Sequence, residues 1–125
     1  MTENELSKII IGCAIEVHKS LGPGLLESAY EACLAYEIKL AGLNINTQQP
    51  LPLIYKEVHL ETGYRLDIIV EKKVILEIKT VEGFNDIHLA QVLTYLKVSN
   101  CKLGLLLNFN VLKMTDGIKR VVNNL

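Results

Sequence analysis

Apolar residues recur from Leu6 through Ile9, Ile10, Cys13, Ala14, Val17 and Leu21, which is the i, i+3, i+4, i+7 spacing of one helical face. This first helix ends at Leu21-Gly22-Pro23-Gly24, where glycine can take a left-handed conformation and proline can open a following helix in its first turn. A second helix carries Leu26, Ala29, Tyr30, Cys33, Leu34 and Ile38 on its apolar side and stops near Ala41-Gly42. Beyond Gly42 the period falls to two. Gln48 to Tyr55 reads as a strand, but Pro50 and Pro52 cannot donate to a ladder, so it belongs at a sheet edge or carries a bulge. A short strand over Glu57 to Glu61 is expected next.

Tyr64 to Val70 and Val74 to Lys79 are rich in Ile, Leu and Val and flank the charged triplet Glu71-Lys72-Lys73, as the arms of a β-hairpin do. Asn85 or Asp86 caps a third helix with Leu89, Val92, Leu93 and Leu96 along one side, running to about Val98. Leu103 to Phe109 is the continuous apolar run of a buried strand, and Ile118 to Val122 adds a last one. The order ααβββ(β)αβ(β) predicts an α/β (α+β) fold, a central mixed β-sheet flanked by helices. With no internal repeat or linker, residues 1–125 read as a single domain.

Composition adds exclusions. A chain of 125 residues, 50% hydrophobic and 22% charged, buries about two-thirds of its surface on folding and is neither disordered nor fibrous. Its formal charge of −1 rules out a protein that holds nucleic acid chiefly by a net positive field. No apolar run approaches the ~18 residues of a membrane span. The start, Met1-Thr2-Glu3-Asn4-Glu5, lacks the basic stretch of a signal peptide, so a cytoplasmic protein without membrane association is expected. Cys13, Cys33 and Cys101 are an odd number with no close pair, which argues against a disulfide framework or a zinc site.

The hairpin carries the chemistry. A three-residue loop at Glu71-Lys72-Lys73 pairs Val70 with Val74, and continuing that register sets Asp67 opposite Glu77 and Arg65 opposite Lys79. Opposed residues share a face, so all four project from one side, while Tyr64, Leu66, Ile68 and Val70 with Val74, Leu76 and Ile78 form the core side. Two facing carboxylates repel unless a cation lies between them. Mg²⁺ and Mn²⁺ take such hard oxygen ligands together with water and phosphate oxygens. Lys79, two residues after Glu77, points to the same place, where an ammonium can orient an attacking water or offset charge developing on a phosphoryl group. The competing reading is a solvated sheet face whose acids pair with Arg65 and Lys79.

The spacing of Asp67, nine residues, then Glu77-Ile78-Lys79 resembles the motif of the PD-(D/E)XK nuclease superfamily, with Leu66 where the motif has its proline. Gly24-Leu25-Leu26-Glu27-Ser28-Ala29-Tyr30 is similar to the signature of the GxxExxY family within that superfamily. The third helix, with Gln91 and Tyr95 four apart and His88 three before Gln91, resembles the QxxxY helix of its exonuclease-like branch. The resemblance implies a restriction-endonuclease-like core. It further implies metal ligation by Asp67, Glu77, the Ile78 backbone carbonyl and Glu27, with Lys79 as the catalytic lysine. Arg65, Tyr30, Gln91, Tyr95 and His88 are then expected toward the substrate.

Blander roles stay open beside these. Glu27 is also a favourable first-turn acid, Tyr30 and Tyr95 also suit core tyrosines with satisfied hydroxyls, His18 fits a cation at a helix C-terminus, and Lys72-Lys73 fits a solvated hairpin tip. Function then reads as a Mg²⁺- or Mn²⁺-dependent nuclease acting on nucleic acid, in the first place DNA. The alternatives are a non-catalytic nucleic-acid-binding or assembly module of the same fold, and a phosphoesterase acting on small substrates. With only Arg65 and Arg120 as arginines, weak affinity, or a homodimer that pools its lysines, is expected.

Overall fold

A computed structural model describes residues 1–61 and 63–125. Helix α1 (Glu3–Leu21) starts three residues before its first apolar position, because Thr2 and Glu5 close a reciprocal capping box over its first turn. Helix α2 (Glu27–Leu40) begins later than expected. Gly22 and Gly24 both take positive φ, 69° and 101°, so the chain bends twice before it can coil, and Pro23 lies in that bend rather than in a first helical turn.

Strands β1 (Ile45–Pro50), β2 (Leu53–Tyr55), β3 (Val58–Leu60), β4 (Arg65–Val70) and β5 (Val74–Lys79) follow. The single strand expected over Gln48 to Tyr55 is in fact two, divided at Pro50 and Pro52, where the ladder loses its donors. Strands β2 and β3 pair only with each other. After β5 come α3 (Asp86–Ser99), capped by Asn85, then β6 (Leu103–Asn108), a 3₁₀ turn over Met114–Gly117, and β7 (Ile118–Val122).

Five strands form one mixed sheet in the order β1-β4-β5-β6-β7. Only β5 and β6 run parallel, joined across one face by α3, and the proline-bearing β1 takes the edge. Helices α1 and α2 cover one face, packing Leu6, Ile10, Tyr30, Leu34 and Ile38 on Ile68, Val74, Leu76, Leu105 and Leu107. Helix α3 covers the other, with Val92, Tyr95 and Leu96 against Ile69, Ile75 and Leu106. A strand buried on both faces cannot alternate apolar with polar, and so β5 and β6 read as nearly continuous apolar runs.

The hairpin register holds from Val70↔Val74 through Ile68↔Leu76 and stops there. Asp67 and Glu77, and Arg65 and Lys79, are therefore not ladder partners, contrary to the continued register. The strands part at Asp67, and beyond the parting Leu66 packs with the α3-side cluster instead of with Ile68 and Val70. Tyr64, expected in the core, is 42% exposed.

Candidate active site

The parting of β4 from β5 makes room for a side chain in the plane of the sheet. The Asp67 carboxylate fills it: Oδ2 accepts the Ile78 amide hydrogen at 2.9 Å, replacing the backbone partner that the ladder no longer supplies. The Lys79 carbonyl is taken on the opposite edge of β5 by the Phe109 amide. Alternate residues of a strand turn to opposite neighbours, so the N–H and C=O of Ile78 both face the gap that holds Asp67.

Glu77 lies one residue earlier and is only 7% exposed. Its Oε1 is buried without a hydrogen-bond partner among the described residues. Burial, with the Asp67 carboxylate close by, pushes the Glu77 carboxyl up to about 8, against the opposing pull of the Lys79 ammonium. Asp67 is raised as well, by burial first, although the Ile78 amide and Gln48 act to lower it. A buried oxygen with no partner beside a second carboxylate is a costly arrangement for a protein alone. An oxygen-seeking divalent cation would satisfy it, since Mg²⁺ sites commonly use one or two carboxylates and fill the rest with water.

Glu27, the first residue of α2, accepts the Thr80 amide hydrogen through Oε2 at 3.0 Å, which ties the helix start to the end of β5. It does not join Asp67 and Glu77 in a three-carboxylate cage: among the described residues no three of His, Cys, Asp and Glu are grouped closely enough to ligate a metal. One turn further along α2, Glu31 is half-buried, and burial raises its carboxyl. Its Oε1 accepts from Gln48 Nε2 at 2.7 Å, and the same nitrogen stands 3.5 Å from Asp67 Oδ1. Glu27, Ser28, Glu31, Gln48 and Asp67 line an open cleft of about 430 Å³.

The remaining sequence candidates divide. Tyr95 is buried in the α3-side cluster, and burial first, then the Glu77 and Asp67 carboxylates, raise its phenol, which places it near the acidic pair. Gln91 is exposed one turn before it. Arg65 is exposed and donates to the Gln48 carbonyl at 3.2 Å, not toward Glu77. His88 belongs to the helix cap, its Nδ1 accepting from the Asn85 amide at 3.2 Å. Tyr30 is fully buried, stacked on Phe109 at 4.5 Å between ring centroids, and cannot reach a substrate. Its hydroxyl donates to the Gly22 carbonyl and accepts from the Leu25 amide, bracing the bend that delivers Glu27.

His18 is buried and bonds the Val111 carbonyl at 2.7 Å, a structural role. Lys72 and Lys73 are exposed at the hairpin tip, as read. No helix is long and apolar enough to cross a membrane among the described residues.

Three participants escaped the sequence reading. Glu31 is four residues after Glu27 and was legible as its helical neighbour. Gln48 stands across from Asp67 only because of the β1–β4 register, which the sequence does not display. Asn108, which pairs with Lys79 across the β5–β6 ladder and is 3% exposed, accepts from the Val81 and Asn110 amides and donates to the Val81 carbonyl, pinning the loop beyond the lysine.

Residues 4–121 match the family model of the PD-(D/E)XK nuclease superfamily. No curated protein and no solved structure matches the chain.

Proposed function

The chain belongs to the PD-(D/E)XK nuclease superfamily, and we propose that it is a divalent-metal-dependent nuclease that hydrolyses phosphodiester bonds in DNA. Within the superfamily its Gly24-x-x-Glu27-x-x-Tyr30 segment fits the GxxExxY group. The observation that carries the reading is the Glu77 Oε1, buried beside Asp67 with no hydrogen-bond partner among the described residues.

In this reading Asp67, Glu77 and the Ile78 carbonyl hold Mg²⁺ or Mn²⁺, and Glu27, bound to the Thr80 amide, adds negative charge at the edge. Bound there, the cation supplies Lewis acidity toward the phosphate and a more acidic water. The Lys79 ammonium, at the end of the same strand, orients the attacking water and offsets charge developing on the phosphoryl oxygens. Tyr95 closes the apolar side of the site and keeps bulk water from Glu77, which strengthens every charge interaction there. Gln91 and Arg65, both exposed, are in this reading the donors to substrate phosphates.

The test is cleavage of duplex and single-stranded DNA with Mg²⁺ or Mn²⁺ by the wild type and by Glu77→Gln, whose fold is checked by circular dichroism. Metal-dependent cleavage by the wild type, lost in the variant, supports the proposal. Equal cleavage by both removes Glu77 from the mechanism, and no metal binding by the wild type at millimolar concentrations favours a non-catalytic module.

A further inference from the structure

We infer that Gln48, anchored by Glu31, is a positioning residue that sets the Asp67 carboxylate for cation binding; the inference rests on the metal-dependent reading above. Three observations converge on this residue. Pairing of Thr47 with Ile68 and of Gln49 with Leu66 stands Gln48 directly across from Asp67. Its backbone has φ 50°, the left-handed region that residues other than glycine seldom enter, in the middle of an otherwise extended strand. And although it sits on an exposed edge strand, its side chain turns into the acidic cleft, where Nε2 donates to Glu31 Oε1 at 2.7 Å and stands 3.5 Å from Asp67 Oδ1.

The chemistry suits placement rather than ligation. The short bond to Glu31 fixes the amide, and the amide in turn limits where Asp67 Oδ1 can lie, while the Ile78 amide fixes Oδ2 at 2.9 Å. Each carboxylate oxygen has two lone pairs, so Asp67 is held from both sides and keeps lone pairs for a cation. A lysine or arginine in the same place would hold Asp67 more strongly but would neutralise it, competing by charge with the metal. A neutral amide orients the carboxylate and leaves its charge available. It also stands between Glu31 and Asp67, two carboxylates that would otherwise repel. Outer partners of this kind commonly govern metal affinity as strongly as tenfold to a hundredfold.

The test is calorimetric titration of the full chain with Mn²⁺ alone, alongside thermal unfolding in EDTA, for the wild type, Gln48→Ala, Gln48→Gly and Glu31→Gln. Gln48→Ala and Gln48→Gly are each expected to weaken Mn²⁺ binding by about tenfold or more, and Glu31→Gln to weaken it less. Glycine suits the left-handed backbone, so Gln48→Gly should unfold without metal at a temperature no lower than the wild type, which separates lost positioning from lost folding. Wild-type Mn²⁺ affinity in both Gln48 variants overturns the inference and leaves the metal site standing. A wild type that binds no Mn²⁺ overturns the metal site, and the inference with it.

Discussion

Replacing Glu77 with glutamine should change how stability depends on pH, and the sign follows from the burial of the acid. Without a cation the Glu77 carboxyl is held at about 8, against an ordinary value of 4.5. The folded protein therefore keeps a proton that the unfolded chain releases. Between pH 4.5 and 8 the unfolded state binds fewer protons than the folded state, so stability is highest below this window and falls as pH rises through it. At about 1.4 kcal/mol per pH unit the full window is worth nearly 5 kcal/mol, of which about 3–4 kcal/mol lies between pH 5 and pH 8. For a domain of this length that is roughly 10–15 °C in Tm.

The assay is thermal or urea unfolding in EDTA at pH 5, 6.5 and 8. The wild type should lose stability steeply across the series, while Glu77→Gln, which keeps the shape and cannot ionise, should vary less and be the more stable of the two at pH 8. Mn²⁺ must displace the same proton, so its apparent affinity should weaken by about tenfold for each pH unit below 8. Parallel pH profiles for wild type and Glu77→Gln in EDTA would refute the reasoning, because Glu77 would then ionise as freely in the folded chain as in the unfolded one.

Lys79→Ala should lower metal-dependent DNA cleavage by about a hundredfold or more while leaving Mn²⁺ binding by calorimetry within a few-fold, since the ammonium serves the reaction rather than the ion. Tyr30→Phe removes a hydroxyl that both donates to Gly22 and accepts from Leu25, and should cost about 1–3 kcal/mol in urea unfolding; a loss below about 0.5 kcal/mol would mean the bend does not depend on it. Gly117→Ala would set a Cβ 2.1 Å from the Asn108 carbonyl oxygen, so it should destabilise the fold by about 2 kcal/mol or more in the same assay.

Much of the fold was legible because apolar spacing and glycine placement act locally. The hairpin loop at Glu71-Lys72-Lys73 and the register of Val70 on Val74 follow from where the branched residues begin and end. What the sequence concealed were long-range choices. Asp67 breaks the hairpin because its carboxylate can replace a backbone acceptor for the Ile78 amide, and period-two reasoning has no term for a side chain entering the ladder. Leu66 then follows the other core. Tyr30 lay between two readings, substrate contact and core, until the stacking on Phe109, seventy-nine positions away, decided for core. Glu77 and Asp67 do not oppose each other in the ladder, as a continued register would have them; they come together where their strands part.

That difference bears on charge. Asp67 and Glu77 feel the Lys79 ammonium, Glu27 acts on both acids and Asp67 on Glu31, so with every group ionised these four acids and one lysine carry three formal negative charges. A phosphodiester approaching them is repelled unless a cation is present, and Glu77 lessens the repulsion in the cation's absence only by keeping its proton. A divalent ion that displaces this proton lets all four carboxylates ionise, and then one formal negative charge remains. The site therefore never becomes strongly positive. Substrate affinity in the proposed reaction must come from inner contact between phosphate and metal and from a few donors such as Arg65 and Gln91, not from a broad basic surface. A protein of net charge −1 can belong to a nuclease superfamily on those terms: its hold on DNA should follow metal occupancy closely and salt only weakly, because few phosphate counterions are released when so few cationic side chains make contact.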